Sequence, residues 1–139
     1  MKTLRQFGCE SIGFMDDFEK HEVLLAFAYR GQSVQLRASA KGWAQMWVQA
    51  NPWNNRMRHT QHEHGQAALR QGHVAVNSIL RDWVKGQVTA IETGILSFAA
   101  VFMPFMVTND GRTVSQRLEE TGLLPEPEPP KVVSIQGPR

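Results

Sequence analysis

The spacing of apolar side chains between Val74 and Thr93 constrains the fold of this chain more than any other feature. Val76, Ile79, Leu80, Trp83, Val84, Val88 and Ile91 recur at intervals of three and four residues, which places them on one face of an α-helix. Asp82, between Arg81 and Lys85, is then expected on the solvent side in a surface ion pair, and Glu92 is an ordinary last-turn residue. Gly94, immediately after Thr93, is suited to end the helix in a left-handed conformation. Upstream, the start of this helical region falls between Arg56 and Gln66. Gly65, Gly72 and Gly86 weaken it by up to ~1 kcal/mol each relative to alanine if exposed, so the sequence admits either a continuous helix through Gly72 and Gly86 or a break near Gly72.

Ahead of the helix the periodicity changes to two. Residues His21 to Arg30 favour a strand, and Ser33 to Ala38 alternate polar and apolar, with Gly31-Gln32 between them as a two-residue type II′ turn. That turn pairs Tyr29 with Val34, Phe27 with Leu36 and Leu25 with Ala38 on an apolar face. Arg30, Ser33, Gln35, Ala26 and Arg37 lie on the other. A lone hairpin is marginal in water. Its apolar face must therefore pack on helices or gain a strand from residues 1–20, which carry no sustained period and stay unassigned.

Ser39 is placed to cap a helix from Ala40 to about Ala50, with Trp43, Met46, Trp47 and Ala50 on one face and Asn51-Pro52 ending it. Ser97 caps a further helix predicted to run to about Val107, kinked or loosened by Pro104. Asn109-Asp110-Gly111 marks a turn, and Thr113 with Gln116 has capping-box spacing for a last helix ending at Gly122. The run Pro125-Glu126-Pro127-Glu128-Pro129-Pro130 is expected to be extended and flexible, with Val132, Val133 and Ile135 available to dock on a partner. With 139 residues, 42% of them hydrophobic, the chain suffices for one core. The expectation is an α+β fold in which an N-terminal β-hairpin packs on three or four helices, as a single domain over residues 21–124 with a Pro/Glu-rich tail over 125–139.

The longest apolar run, Phe98 to Val107, is too short to cross a bilayer, and the N-terminus has no apolar signal core. A cytoplasmic protein without a membrane association is expected. The single cysteine, Cys9, cannot form an intramolecular disulfide and has no identifiable base beside it. No phosphate-binding loop, nucleophile elbow or carboxylate pair in an apolar setting is present, so a non-enzymatic protein without a cofactor is expected. His59, His62 and Glu63 share a helical face and are weak metal-ligand candidates. On that helix His64 points away by about 140°, leaving too few ligands for a zinc site.

Charge is distributed unevenly. Residues 30–85 hold eight Lys/Arg against two Asp/Glu, while residues 1–29 and 86–139 each carry a net −2. Between Val23 and His62 there is no acidic residue, but there are Arg30, Arg37, Lys41, Arg56 and Arg58, together with Trp43, Trp47 and Trp53. Interleaved cations and aromatics fit phosphate contacts plus base stacking. Trp43 and Trp47 share a helical face suited to the core, whereas Trp53 follows Pro52 in a loop. The expected nucleic-acid contacts are therefore Arg30, Arg37, Lys41, Arg56 and Arg58 to phosphates, and Trp53 to bases, with DNA favoured over RNA.

The run from Lys85 through Gly86-Gln87-Val88-Thr89-Ala90-Ile91-Glu92-Thr93-Gly94 to Ile95, with Ser97-Phe98, Phe102-Met103, Asp110-Gly111-Arg112-Thr113-Val114 and Leu123-Leu124-Pro125, resembles a group of small uncharacterised proteins encoded by bacteriophages and prophages of proteobacteria. The resemblance spans roughly residues 20–125, and Trp83 and Gly86 depart from its pattern. It implies a mobile-element setting and no established activity, so it assigns no catalytic residue. Two partner classes follow: nucleic acid, for an accessory factor in phage replication, recombination or packaging; or a host protein, for an inhibitor or modulator of a host system. A homo-oligomeric structural protein is a third reading.

Overall fold

A computed structural model of the protein describes residues 2–130. A short helix α1 (Lys2–Phe7) leads into an antiparallel sheet of β1 (Glu10–Asp17), β2 (Glu22–Tyr29) and β3 (Gln32–Ser39), in that spatial order. Helices α2 (Ala40–Ala50) and α3 (Gln61–Glu92) follow, then α4 (Phe98–Phe102), a 3-10 turn at Met103–Phe105, and α5 (Val114–Thr121). The fold is α+β, with a three-stranded sheet where the sequence predicts a hairpin. The third strand comes from the N-terminal residues left unassigned, whose period is interrupted by a bulge between Glu10 and Gly13 with Ser11 at φ 54°.

The β2–β3 turn is Arg30-Gly31, not Gly31-Gln32. Both residues have positive φ, 49° and 79°, as a type I′ loop requires. The register is accordingly Phe27 opposite Val34, Leu25 opposite Leu36 and Val23 opposite Ala38. Moving the turn by one residue shifts the pairing by two, so every side chain keeps the face that the sequence predicts.

That inner face meets α3. Leu25, Phe27, Val34 and Leu36 pack with Leu4, Val84, Val88 and Phe102 in the main core, and Val23 packs with Val76 and Leu80 in a smaller cluster beside it. Phe7, Tyr29 and Phe98 close one end, with ring centroids 4.7 Å apart for Phe7–Tyr29 and 4.6 Å for Tyr29–Phe98. One member of the predicted α3 stripe departs from it. Trp83 and Ile91 are half-buried and pack against the main core, whereas Ile79 is 55% exposed because the buried line runs Val76, Leu80, Val84, Val88.

α3 is continuous through Gly72 and Gly86, which decides between the two alternatives the sequence leaves open. A Cβ on Gly72 would stand 2.7 Å from the carbonyl oxygen of Ala40. The glycine therefore allows the start of α2 to lie close against α3, and its flexibility is offset by that contact. Gly94 (φ 78°) ends the helix, with Ile95 N–H donating to Ala90 O and Gly94 N–H to Ile91 O, which is a Schellman closure.

The helix predicted from Ser97 to Val107 stops early. Ser97 does cap it, but the α-helix ends at Phe102 and the chain tightens into the 3-10 turn at Pro104. Met106 and Val107 then turn extended and reach the edge of β3 through Val107 N–H to Ser33 O at 2.8 Å. Thr113 and Gln116 form the expected capping box, and Gly122 (φ 63°) the expected stop. Residues 123–130 have no helix or strand and are exposed; Val132, Val133 and Ile135 lie outside the described residues. Among the described residues no helix is long and apolar enough to cross a membrane.

Candidate nucleic-acid interface

α2 begins where β3 ends. Ser39 is its N-cap, accepting from Gly42 N–H at 3.0 Å, and Asn51 ends it with its backbone N–H on Trp47 O. Its buried line is Ala40 and Ala44, with Trp43 and Trp47 half-buried. Met46 and Ala50, predicted on the Trp43/Trp47 face, are exposed instead. Small residues on this line let α2 lie against Gly72. Trp43 packs on the Val23–Val76–Leu80 cluster and Trp47 lies 5.1 Å from the His64 ring. Both have packing partners inside the fold.

Residues 51–60 form a pinned loop. The Trp53 indole N–H donates to His59 O at 2.8 Å, and Asn54 accepts from Arg56 N–H at 3.0 Å. His64 is buried and bonds Asn51 O through Nε2 at 2.7 Å. A carbonyl only accepts, so this nitrogen carries hydrogen, and in the neutral ring Nδ1 is left to accept from His59 Nε2 at 2.8 Å. α3 then opens on a capping box: Thr60 accepts from Glu63 N–H and Glu63 accepts from Thr60 N–H. The hydrogen bond from the Thr60 backbone N–H is the largest cause holding the Glu63 carboxyl below the usual carboxylate range.

Of the three metal candidates, Glu63 is thus committed to the helix start, His59 is paired with His64 rather than with His62, and His62 is exposed on α3. Among the described residues no three His, Cys, Asp or Glu side chains are placed to hold one ion. The sequence rule failed because His59 precedes the helix, where helical spacing does not apply.

The six predicted nucleic-acid residues separate into two groups. Lys41, Arg56 and Arg58 are exposed and Trp53 half-buried on the α2–loop–α3 unit, and none of the ion pairs among the described residues includes these cations. Arg37 sits on the outer face of the sheet, 3.5 Å from Glu22. Arg30 is at the hairpin tip over the Tyr29 ring at 5.3 Å. β3 alone separates Arg30 from the start of α2 by roughly 25 Å at the usual rise per strand residue. The structure gathers Lys41, Trp53, Arg56 and Arg58 along one helical hairpin and leaves Arg30 and Arg37 with the sheet.

Two clusters escaped the sequence reading. One is the tie between β1 and α3: His73 is 4% exposed, its Nδ1 is 2.7 Å from Asp16 Oδ1, and Asn77 donates to the same oxygen at 3.1 Å. Its Nε2 faces His21 Nδ1 at 3.4 Å. Asp16 points inward because it shares the register side of Phe14 and is paired with Val23, which only the third strand reveals. The other is an open groove of about 560 Å³ between α2 and α3, floored by Ala44, Val48 and Leu69. Asp82, expected in an ion pair, is exposed without one among the described residues, and Arg81 lies 4.4 Å over the Phe14 ring.

No protein-family model matches the chain, and no curated protein or solved structure is significantly similar to it.

Proposed function

We propose that the protein is a non-enzymatic nucleic-acid-binding accessory factor, of the mobile-element kind implied by its sequence resemblance, and that it binds through the α2–loop–α3 unit. The observation that carries this reading is the fate of the acid-free stretch. Its second half folds into one continuous surface element on which Lys41, Arg56 and Arg58 are exposed without carboxylate partners among the described residues, and Trp53 lies half-buried in the loop that joins the two helices. Fixed cations of this kind release condensed counterions from phosphates, which makes binding salt-sensitive. Arg30 stands at the hairpin tip and Arg37 is paired with Glu22 on the sheet, so neither belongs to this element.

Fluorescence polarisation with labelled DNA at 50 and 200 mM salt tests it, those concentrations being about the range over which phosphate-driven binding changes by orders of magnitude. Micromolar binding that weakens at least tenfold over this range is expected. Absence of salt-sensitive binding at micromolar protein contradicts the proposal.

A protein partner is the second reading, and the outer face of the sheet favours it. Leu24, Ala26 and Ala28 form an apolar centre on β2, flanked by Gly13 and Met15 on β1, the latter 61% exposed. A central strand apolar on both sides is the pattern of a sheet covered on both faces. Nuclease-resistant capture of a host protein that is lost in Leu24→Arg supports this reading; capture abolished by nuclease removes it.

A further inference from the structure

The α2–α3 groove has a lining unlike the rest of the surface. Its floor is apolar, its walls carry the carboxamides of Gln45, Gln49, Gln61 and Gln66, and Lys41 and His62 supply cationic or hydrogen-bonding groups. Among the described residues no carboxylate lines it. The pinned loop bearing Arg56, Arg58 and Trp53 bridges the end formed by Gln49 and Gln61. At about 560 Å³ the groove is within the range that encloses a small organic group.

A carboxamide offers a donor and an acceptor side by side, which matches the edge of a nucleobase. Within a duplex that edge is paired. A base reaches an apolar-floored groove only when it is unstacked and unpaired, and is then held by apolar contact on its faces and hydrogen bonds on its edge. A protein-derived anion would find cations here but no use for four carboxamides over an apolar floor.

We infer that the α2–α3 groove takes an unpaired base of single-stranded nucleic acid, its phosphates lying on Lys41, Arg56 and Arg58. This rests on the nucleic-acid reading above and names its ligand class. The apolar floor excludes no water until the base is seated, so the strand gains from the groove only when a base enters. Duplex DNA is left with the phosphate contacts alone.

The test uses the full chain and two labelled probes, a mixed-sequence 12-nucleotide single strand and the same sequence as duplex. A Cβ on Gly65, which lines the groove, meets nothing within 4 Å. Gly65→Phe therefore fills the groove without a backbone clash, Gly65→Ala is its control, and Gln45→Ala/Gln49→Ala removes carboxamides from an exposed helix face. The wild type is expected to bind the single strand at least tenfold tighter than the duplex. Gly65→Phe is expected to erase that preference while duplex affinity stays within twofold. The double glutamine variant, which needs no cavity to stay intact, is expected to lose single-strand affinity about fivefold.

Equal affinity for the two probes overturns the groove assignment, as does a folded Gly65→Phe or double glutamine variant that keeps the wild-type preference; the phosphate surface survives either result. Loss of all salt-sensitive binding in the wild type removes that surface and the groove with it.

Discussion

Two glycines that read alike in the sequence have opposite roles in the fold. A methyl group on Gly72 meets the Ala40 carbonyl at 2.7 Å, while one on Gly86 meets nothing within 4 Å. Gly72→Ala should lower stability by about 1–3 kcal/mol through overpacking, and Gly86→Ala should raise it by about 0.5–1 kcal/mol through helix propensity. Urea denaturation of both variants checks the pair, and similar signs for the two would refute the close crossing. Cys9 gives a chemical check on the core: burial pushes its thiol up to about 11. Its alkylation by iodoacetamide at pH 8 should be slow when folded and fast in denaturant, since the thiolate is the nucleophile. The polar tie at His73 is the residue-level feature least visible in the sequence. A histidine inside an apolar period and an Asp-Asp pair before a turn each look superficial until the bulged first strand brings Asp16 to α3.

At the scale of elements, the boundaries legible in the sequence are those set by local chemistry. Ser39 for α2, Ser97 for α4, the Thr113–Gln116 box for α5 and the glycine stops at 94 and 122 all act through their own backbone neighbours. Ser39→Ala should accordingly cost about 1 kcal/mol in a thermal melt. The elements misjudged depend on distant partners: β1 needs β2 to be a strand, and Met106–Val107 leave the helix because β3 offers an edge at Ser33. The 108–113 turn has its own pH dependence. Thr108 and Arg112 bond the Asp110 carboxylate and hold it well below the usual carboxylate range, and Arg112 also pairs with Glu120. A folded value lowered in this way adds stability above the unfolded carboxylate range of about 4. That contribution is lost as pH falls through the lower folded value. The Asp110 side-chain NMR titration should therefore lie below that of Asp110 in the unfolded chain, and Thr108→Val should raise it.

For the whole molecule, the charge asymmetry legible in the sequence is partly redistributed by folding. The acid-free stretch contains Arg30 and Arg37 as well as the α2–loop–α3 cations; folding carries Arg30 to the hairpin tip and pairs Arg37 with Glu22 on the outer face of the sheet. The sequence therefore named Lys41, Trp53, Arg56 and Arg58 together with Arg30 and Arg37, without showing which share an element in the fold, and held no sign of a groove built from residues twenty apart on two helices. The account stands on Lys41, Arg56 and Arg58 as phosphate contacts. Its most direct test is the salt dependence of DNA affinity for the wild type, for Lys41→Ala/Arg56→Ala/Arg58→Ala, and for the sheet control Arg30→Ala/Arg37→Ala. Each phosphate contact contributes roughly 0.7–0.9 to the slope of log affinity against log salt. The account predicts that the triple variant loses a slope of about two to three and that the sheet control keeps the wild-type slope; a triple variant with the wild-type slope, or a sheet control that loses it, contradicts the account.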